Sequence, residues 1–158
     1  MAPGPASTNA DEALRAAALE AAGRAHAPYS RFRVGAALRT ADGRVFTGCN
    51  VENASYGLTL CAERMTLASA IAAGATDFER MAVECIDARP ELGLEGRMPC
   101  GACRQWLLEL APDAEVLVSA PEGPRAFRVR ELLPHGFRLG EVGERAGREA
   151  GVRTRPGG

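Results

Sequence analysis

Two short stretches, Cys61-Ala62-Glu63-Arg64 and Pro99-Cys100-Gly101-Ala102-Cys103, constrain this chain more than any other feature. Three cysteines in two clusters can hold one zinc ion through thiolates and leave its fourth tetrahedral position open. A glutamate two residues from the first cysteine is then surplus as a ligand. It is free to move a proton at a water whose pKa the metal lowers to about 7. An α-helix turns about 100° per residue, so Cys61 and Glu63 diverge if they sit mid-helix. They converge only in the first turn of a helix, on something approaching end-on. The same placement suits Cys100 and Cys103, one turn apart at the start of another helix, and sets the positive ends of both helix dipoles beside thiolates.

At 158 residues the chain is the size of one domain with a full core, and 46% apolar with 25% charged residues is ordinary globular composition. A formal charge of −1 gives no basic field for a polyanion, which argues against nucleic acid as a partner. Five cysteines, two of them in C-x-x-C, point to a reducing compartment and metal or redox chemistry rather than a disulfide framework. With no apolar run long enough to span a bilayer and no signal-like N-terminus, the expected location is the cytoplasm and no membrane partner is expected.

Along the chain, residues 1–9 read as a flexible tail. Asp11 to Ala25 carries Leu14, Ala18, Ala21 and Ala25 at helical spacing, with Asn9 as N-cap. From Phe32 the period changes to two, Asp42-Gly43 turns the chain, and Arg44 to Cys49 returns as a second strand. The small residues at Gly35, Ala36 and Ala37 leave room for a packed helix or a ligand. Asn50 to Thr59 is a polar loop and Leu60 to Ala73 a helix. Phe78 to Ile86 and Ala114 to Ser119 are buried strands, separated by a loop and a helix over Cys100 to Leu110 with Trp106, Leu107 and Leu110 inward. The connection Pro121-Glu122-Gly123-Pro124 is too short for a parallel crossover, so Ala126 to Arg130 pairs antiparallel with the strand before it if the two are neighbours. Beyond Gly140 the chain is charged and glycine-rich, and disorder is expected. The expected architecture is α/β, a three-layer α/β/α fold with a five-stranded mixed sheet spanning 10–139.

The cysteine and glutamate pattern is the three-cysteine form of the signature of zinc-dependent nucleobase deaminases. With Tyr29-Ser30-x-Phe32-x-Val34-Gly35-Ala36-Ala37-Leu38, Gly48-x-Asn50-Val51-Glu52-Asn53-Ala54-Ser55-Tyr56, Cys103-Arg104-Gln105 and Leu132-Leu133-Pro134-x-x-Phe137, the chain resembles the small homotetrameric cytidine deaminases from about Leu14 to Phe137. The resemblance implies one zinc per chain on Cys61, Cys100 and Cys103, with Glu63 as the catalytic acid and base that protonates N3 and then the departing amino group. It implies that Phe32 flanks the base, that Asn50 and Glu52 bind ribose hydroxyls, and that Ala62 also lines the substrate. Ala54, Tyr56 and Phe137 are implied to reach neighbouring active sites in a homotetramer, and Arg64 to draw charge off the metal. The implied reaction is hydrolytic deamination of cytidine and 2′-deoxycytidine in pyrimidine salvage. The short last turn fits a free-nucleoside substrate, because the superfamily's polynucleotide editors insert a helix there.

The residues alone admit other readings. Cys100 and Cys103 can be a thioredoxin-like redox pair, which leaves Cys61-x-Glu63 without a role. Cys49 or Cys85 can complete a closed Cys₄ structural zinc module, although both also fit as small residues buried in strands. A related cytosine nucleoside such as blasticidin S can be the substrate. Arg104 reads equally as a second compensating cation or a surface arginine, and neither His26 nor His135 has company that would make it a ligand.

Overall fold

The computed structural model describes residues 9–138. Five strands, β1 (Val34–Thr40), β2 (Val45–Cys49), β3 (Phe78–Cys85), β4 (Glu115–Ala120) and β5 (Gly123–Arg128), form one sheet in the order β2-β1-β3-β4-β5. Only β3 and β4 are parallel; the other three neighbouring pairs are antiparallel. The helices are α1 (Asn9–Ala22), α2 (Ala62–Ala72), α3 (Gly101–Leu110) and the single turn α4 (Val129–Leu132). The α/β expectation and the antiparallel final pair both hold. Of the expected tails, residues 1–8 of the first and all of 140–158 lie outside the described residues, whereas Asn9 begins α1.

Alternation along the strands sorts the core into two layers. Ala36, Leu38, Met81, Val83, Val116 and Val118 point to the face covered by α2 and α3, where they meet Leu67, Ala70, Leu107 and Leu108. Ala37, Ala82 and Leu117 point to the opposite face, against Leu14 and Ala18 of α1. The small residues of β1 serve helix packing. A Cβ at Gly35 would lie 2.0 Å from the Ala18 carbonyl oxygen and 2.4 Å from the Ala22 nitrogen. Gly48 does the same for α2, since a Cβ there would lie 2.8 Å from the Thr66 nitrogen. Close backbone approach on both faces thins the sandwich at β1 and β2, beside the strand ends that border the metal cluster.

Ion pairs fix α1 on its face. Asp11, 2% exposed, accepts from Arg80 Nη1 at 2.6 Å, and Arg80 also pairs with Glu115. Arg15 Nε donates to Glu84 at 2.9 Å and to Ser119 Oγ. On the rim of the sheet, Arg33 binds Asp87 through its backbone amide, Nε and Nη2. Those bonds hold the Asp87 carboxyl down to about 2.

Three local expectations are corrected. Helix α1 already includes Asn9 and stops at Ala22, because Gly23 and Arg24 turn the chain so that the His26 amide can bond the Asn50 carbonyl; Ala25 is outside the helix. Phe32 precedes β1 instead of starting it. Trp106 is 39% exposed, and Leu108 takes the inward position beside Leu107. Its indole sits on an apolar surface groove with Ala68, Ile71, Leu110 and Phe137.

The clearance at Gly35 makes a direct forecast. Gly35→Ala destabilises the protein by about 3 kcal/mol through overpacking against backbone, whereas Gly57→Ala, which meets nothing within 4 Å, leaves thermal unfolding unchanged. Equal melting temperatures for the two variants would contradict this packing.

Candidate metal centre and active site

Helices α2 and α3 begin at the same place. Cys61 is the N-cap of α2 and Cys100 the N-cap of α3, both with extended backbone, so each side chain leaves its helix at the end that carries the positive dipole. Glu63 and Cys103 follow in the respective first turns. The three Sγ atoms lie within 4.8 Å of one another, with Cys61 to Cys100 at 3.8 Å and Cys100 to Cys103 at 3.5 Å. Thiolates bound to zinc at about 2.3 Å in a tetrahedron stand about 3.8 Å apart, so the donor set fits that metal. Neither Cys49 nor Cys85 joins the cluster, which is the single one of its kind among the described residues.

The electrostatics favour a thiolate at Cys61. Cys61 is pulled down to about 5, first by a hydrogen bond from the Cys103 thiol and then by Arg64, while that donation and burial push Cys103 up. Arg64 Nη2 lies 3.8 Å from Cys61 Sγ and donates to the Thr59 carbonyl at 3.0 Å, so its charge is held against the sulfur. Arg104 does something else. It donates to the Pro99 and Leu132 carbonyls, tying the turn before α3 to the end of α4.

Beside the sulfurs opens a cavity of about 370 Å³, lined by Phe32, Asn50, Glu52, Ala62, Glu63 and Tyr56 among others. That volume lies within the range of small-molecule sites, about 300–1,000 Å³. Ala62 is fully buried and Glu63 is 4% exposed. Burial, reinforced by the Cys61 thiolate, pushes Glu63 up to about 7, which suits a group that must both take and give protons near neutrality.

The opposite wall is polar. Glu52 accepts from the Tyr29 amide at 2.9 Å and the Ser30 amide at 3.2 Å. A hydrogen bond from the Ser30 side chain, with those two amides, holds its carboxyl below the usual range against its own burial. Asn50 accepts from the Val34 amide and donates to the Phe32 carbonyl. The isolated bridges His26 to Val51 and Val51 to Leu60 deliver this loop to the start of α2.

Several residues lining the cavity carry no site role in the sequence pattern, Cys85 and Arg97 among them. Cys85, where β3 ends, faces Glu63, and burial pushes its thiol up to about 12. Arg97, from a 3₁₀ turn at Glu95–Arg97, donates to the Ala88 carbonyl. The strand pattern around Cys85 carried a signal for burial but none for which end of the sheet holds the site. Tyr56 stands in this chain's own cavity wall and is 66% exposed, and Ala54 is exposed beside it. Phe137 does not line the cavity. It is 68% exposed, held by two backbone hydrogen bonds to the Gln105 amide.

Comparison with known proteins agrees with this geometry. A family model described as the cytidine and deoxycytidylate deaminase zinc-binding region matches residues 8–119. The cytidine deaminase of Mycobacterium tuberculosis is 46% identical over 129 residues, covering 82% of this chain and 90% of that one. The enzyme of Halalkalibacterium halodurans is 47% identical over 122 residues, 76% of this chain and 88% of its own. The crystal structure of cytidine deaminase from Burkholderia pseudomallei matches with a TM-score of 0.71 at 48% identity, over 80% of this chain and 98% of the other. With three thiolates spaced for zinc and a buried glutamate beside them, the chain belongs to the zinc-dependent cytidine deaminase family.

Proposed function

We propose that the protein hydrolyses cytidine and 2′-deoxycytidine to uridine and 2′-deoxyuridine, releasing ammonia. The observation that carries this reading is the buried Glu63 carboxyl in a cavity also lined by Cys61, Cys100, Asn50 and Glu52, where the Cys103 sulfur converges with the other two from beneath the wall. Bound on Cys61, Cys100 and Cys103, zinc supplies the Lewis acidity that makes a water molecule acidic near neutral pH. Glu63 takes that proton, passes it to N3 of the cytosine ring as oxygen adds at C4, and carries the second to the exocyclic amine. One water enters, ammonia leaves, and a carbonyl replaces the amine. Arg64 steadies the Cys61 thiolate throughout, and Phe32 walls the base.

The sugar end follows from hydrogen-bond capacity. Asn50 has its carbonyl and one N–H committed to the backbone, and Glu52 has two amides on its carboxylate. An ionised carboxylate offers about four acceptor positions and an amide nitrogen two donors. A donor and an acceptor therefore remain for one sugar hydroxyl, an arrangement that tolerates a missing 2′-hydroxyl.

The finer parts of the proposal are pyrimidine salvage in the cytoplasm and a homotetramer in which Ala54, Tyr56 and Phe137 complete neighbouring sites. Among the described residues no helix is long and apolar enough to cross a membrane. The exposed apolar groove that Ile71, Trp106 and Phe137 share supports assembly, since contiguous apolar surface marks an interface. Light scattering is expected to give four chains per particle, and a fully active monomer would contradict the shared sites.

Glu63→Gln tests the chemistry. The variant keeps one zinc per chain and loses about 10³-fold in turnover of cytidine, within the range for a removed general acid–base. A variant with near-normal turnover would remove Glu63 from the mechanism.

A further inference from the structure

The segment from Tyr29 to Phe32 has neither helix nor strand, and the chain before β1 would ordinarily be loose. It is not. Every backbone N–H from 29 to 34 has an acceptor: Tyr29 and Ser30 donate to Glu52, Arg31 to the Ala27 carbonyl, Phe32 to Ser30 Oγ, Arg33 to Asp87 and Val34 to Asn50. Arg31 is also held at φ = +56°, the one non-glycine residue with positive φ among the described residues. A left-handed arginine is kept only where its surroundings dictate it. Here Glu52 holds the residues before it, and Ser30 and Asn50 hold the residue after it.

Ser30 has a particular place in this arrangement. Its amide goes to the carboxylate on the sugar side of the cavity, and its hydroxyl accepts from the amide of the aromatic residue that walls the base, at 3.0 Å. Ser30 itself is exposed, yet it lines the same cavity as both partners. Through its amide and its hydroxyl, Ser30 accordingly links the two ends of a nucleoside site without being needed for the core.

We infer that Ser30 is a positioning residue for nucleoside binding, fixing the placement of Phe32 relative to Glu52 and so setting KM while leaving the chemical step alone. The inference rests on the deaminase reading above. Without the hydroxyl, the Phe32 amide loses its acceptor across the turn at Arg31, and the Glu52 carboxylate loses the hydrogen bond it takes from that side chain. Neither change touches Glu63 or the cysteines. Threonine, which keeps a hydroxyl on the same carbon, preserves the bond.

The test is steady-state kinetics on cytidine with zinc-loaded wild type, Ser30→Ala and Ser30→Thr, alongside thermal unfolding. The expected result is that Ser30→Ala raises KM about fivefold, the scale of one hydrogen bond. Its kcat and melting temperature stay near wild type, and Ser30→Thr binds as wild type does. An unchanged KM in Ser30→Ala, a fall in kcat at constant KM, or a threonine variant as impaired as the alanine one would each overturn the inference. A wild-type protein inert toward cytidine would instead overturn the deaminase reading, and this inference with it.

Discussion

Two helix N-termini aimed at one point are the constraint on which the rest of this structure depends. Each delivers a cysteine as its N-cap and a second functional side chain from its first turn, Glu63 on α2 and Cys103 on α3. Three sulfurs brought together as thiolates repel one another, and the helix dipoles and Arg64 offset that repulsion on the protein's side. The sheet has to bring the two helix starts together. It does so by running β3 and β4 parallel, which places α3 in the crossover between them, and by letting α2 sit close over β2 at Gly48. The small residues of β1 and β2 are therefore part of the metal site's architecture, although none touches a ligand.

The remaining half of the site is made from irregular backbone stiffened by side chains. Asn50 and Glu52, which line the cavity, also hold the segment that carries Phe32. Preorganisation of this kind lowers the entropy lost when a ligand binds, because the wall is ordered before the ligand arrives. It also couples the Glu52 end of the cavity to the Phe32 end, so a residue can matter for the shape of the cavity without lying at its centre.

Much of this was legible in the sequence because local rules suffice for it. The period-two pattern marked β1, apolar runs marked β3 and β4, the short connection before β5 implied its antiparallel partner, and the helical phase of Cys61 with Glu63 required a helix start. What stayed hidden was set by contacts between distant residues. The part-buried pairs of Asp11 with Arg80 and Arg15 with Glu84 each span 69 positions, and nothing local marks them. Trp106 was expected inward because it is large and apolar, but Leu107 and Leu108 already fill the space on the sheet, which leaves the indole on the surface groove. Helix α1 stops before Ala25 because its last carbonyls give way to a turn that feeds His26 into the loop at Asn50, a tertiary demand that overrides alanine's helix propensity. The role of Cys85 in the cavity wall was hidden for the same reason. Burial was readable from its strand, but its neighbour Glu63 was not.

A zinc held by three thiolates with one position left open is tested most directly by X-ray absorption at the zinc edge of the purified protein. The predicted spectrum has three sulfur scatterers at about 2.3 Å and one light oxygen or nitrogen scatterer at about 2.0 Å. Four sulfur scatterers would mean that Cys49 or Cys85 closes the site. That result would turn the centre into a structural one and contradict the catalytic reading.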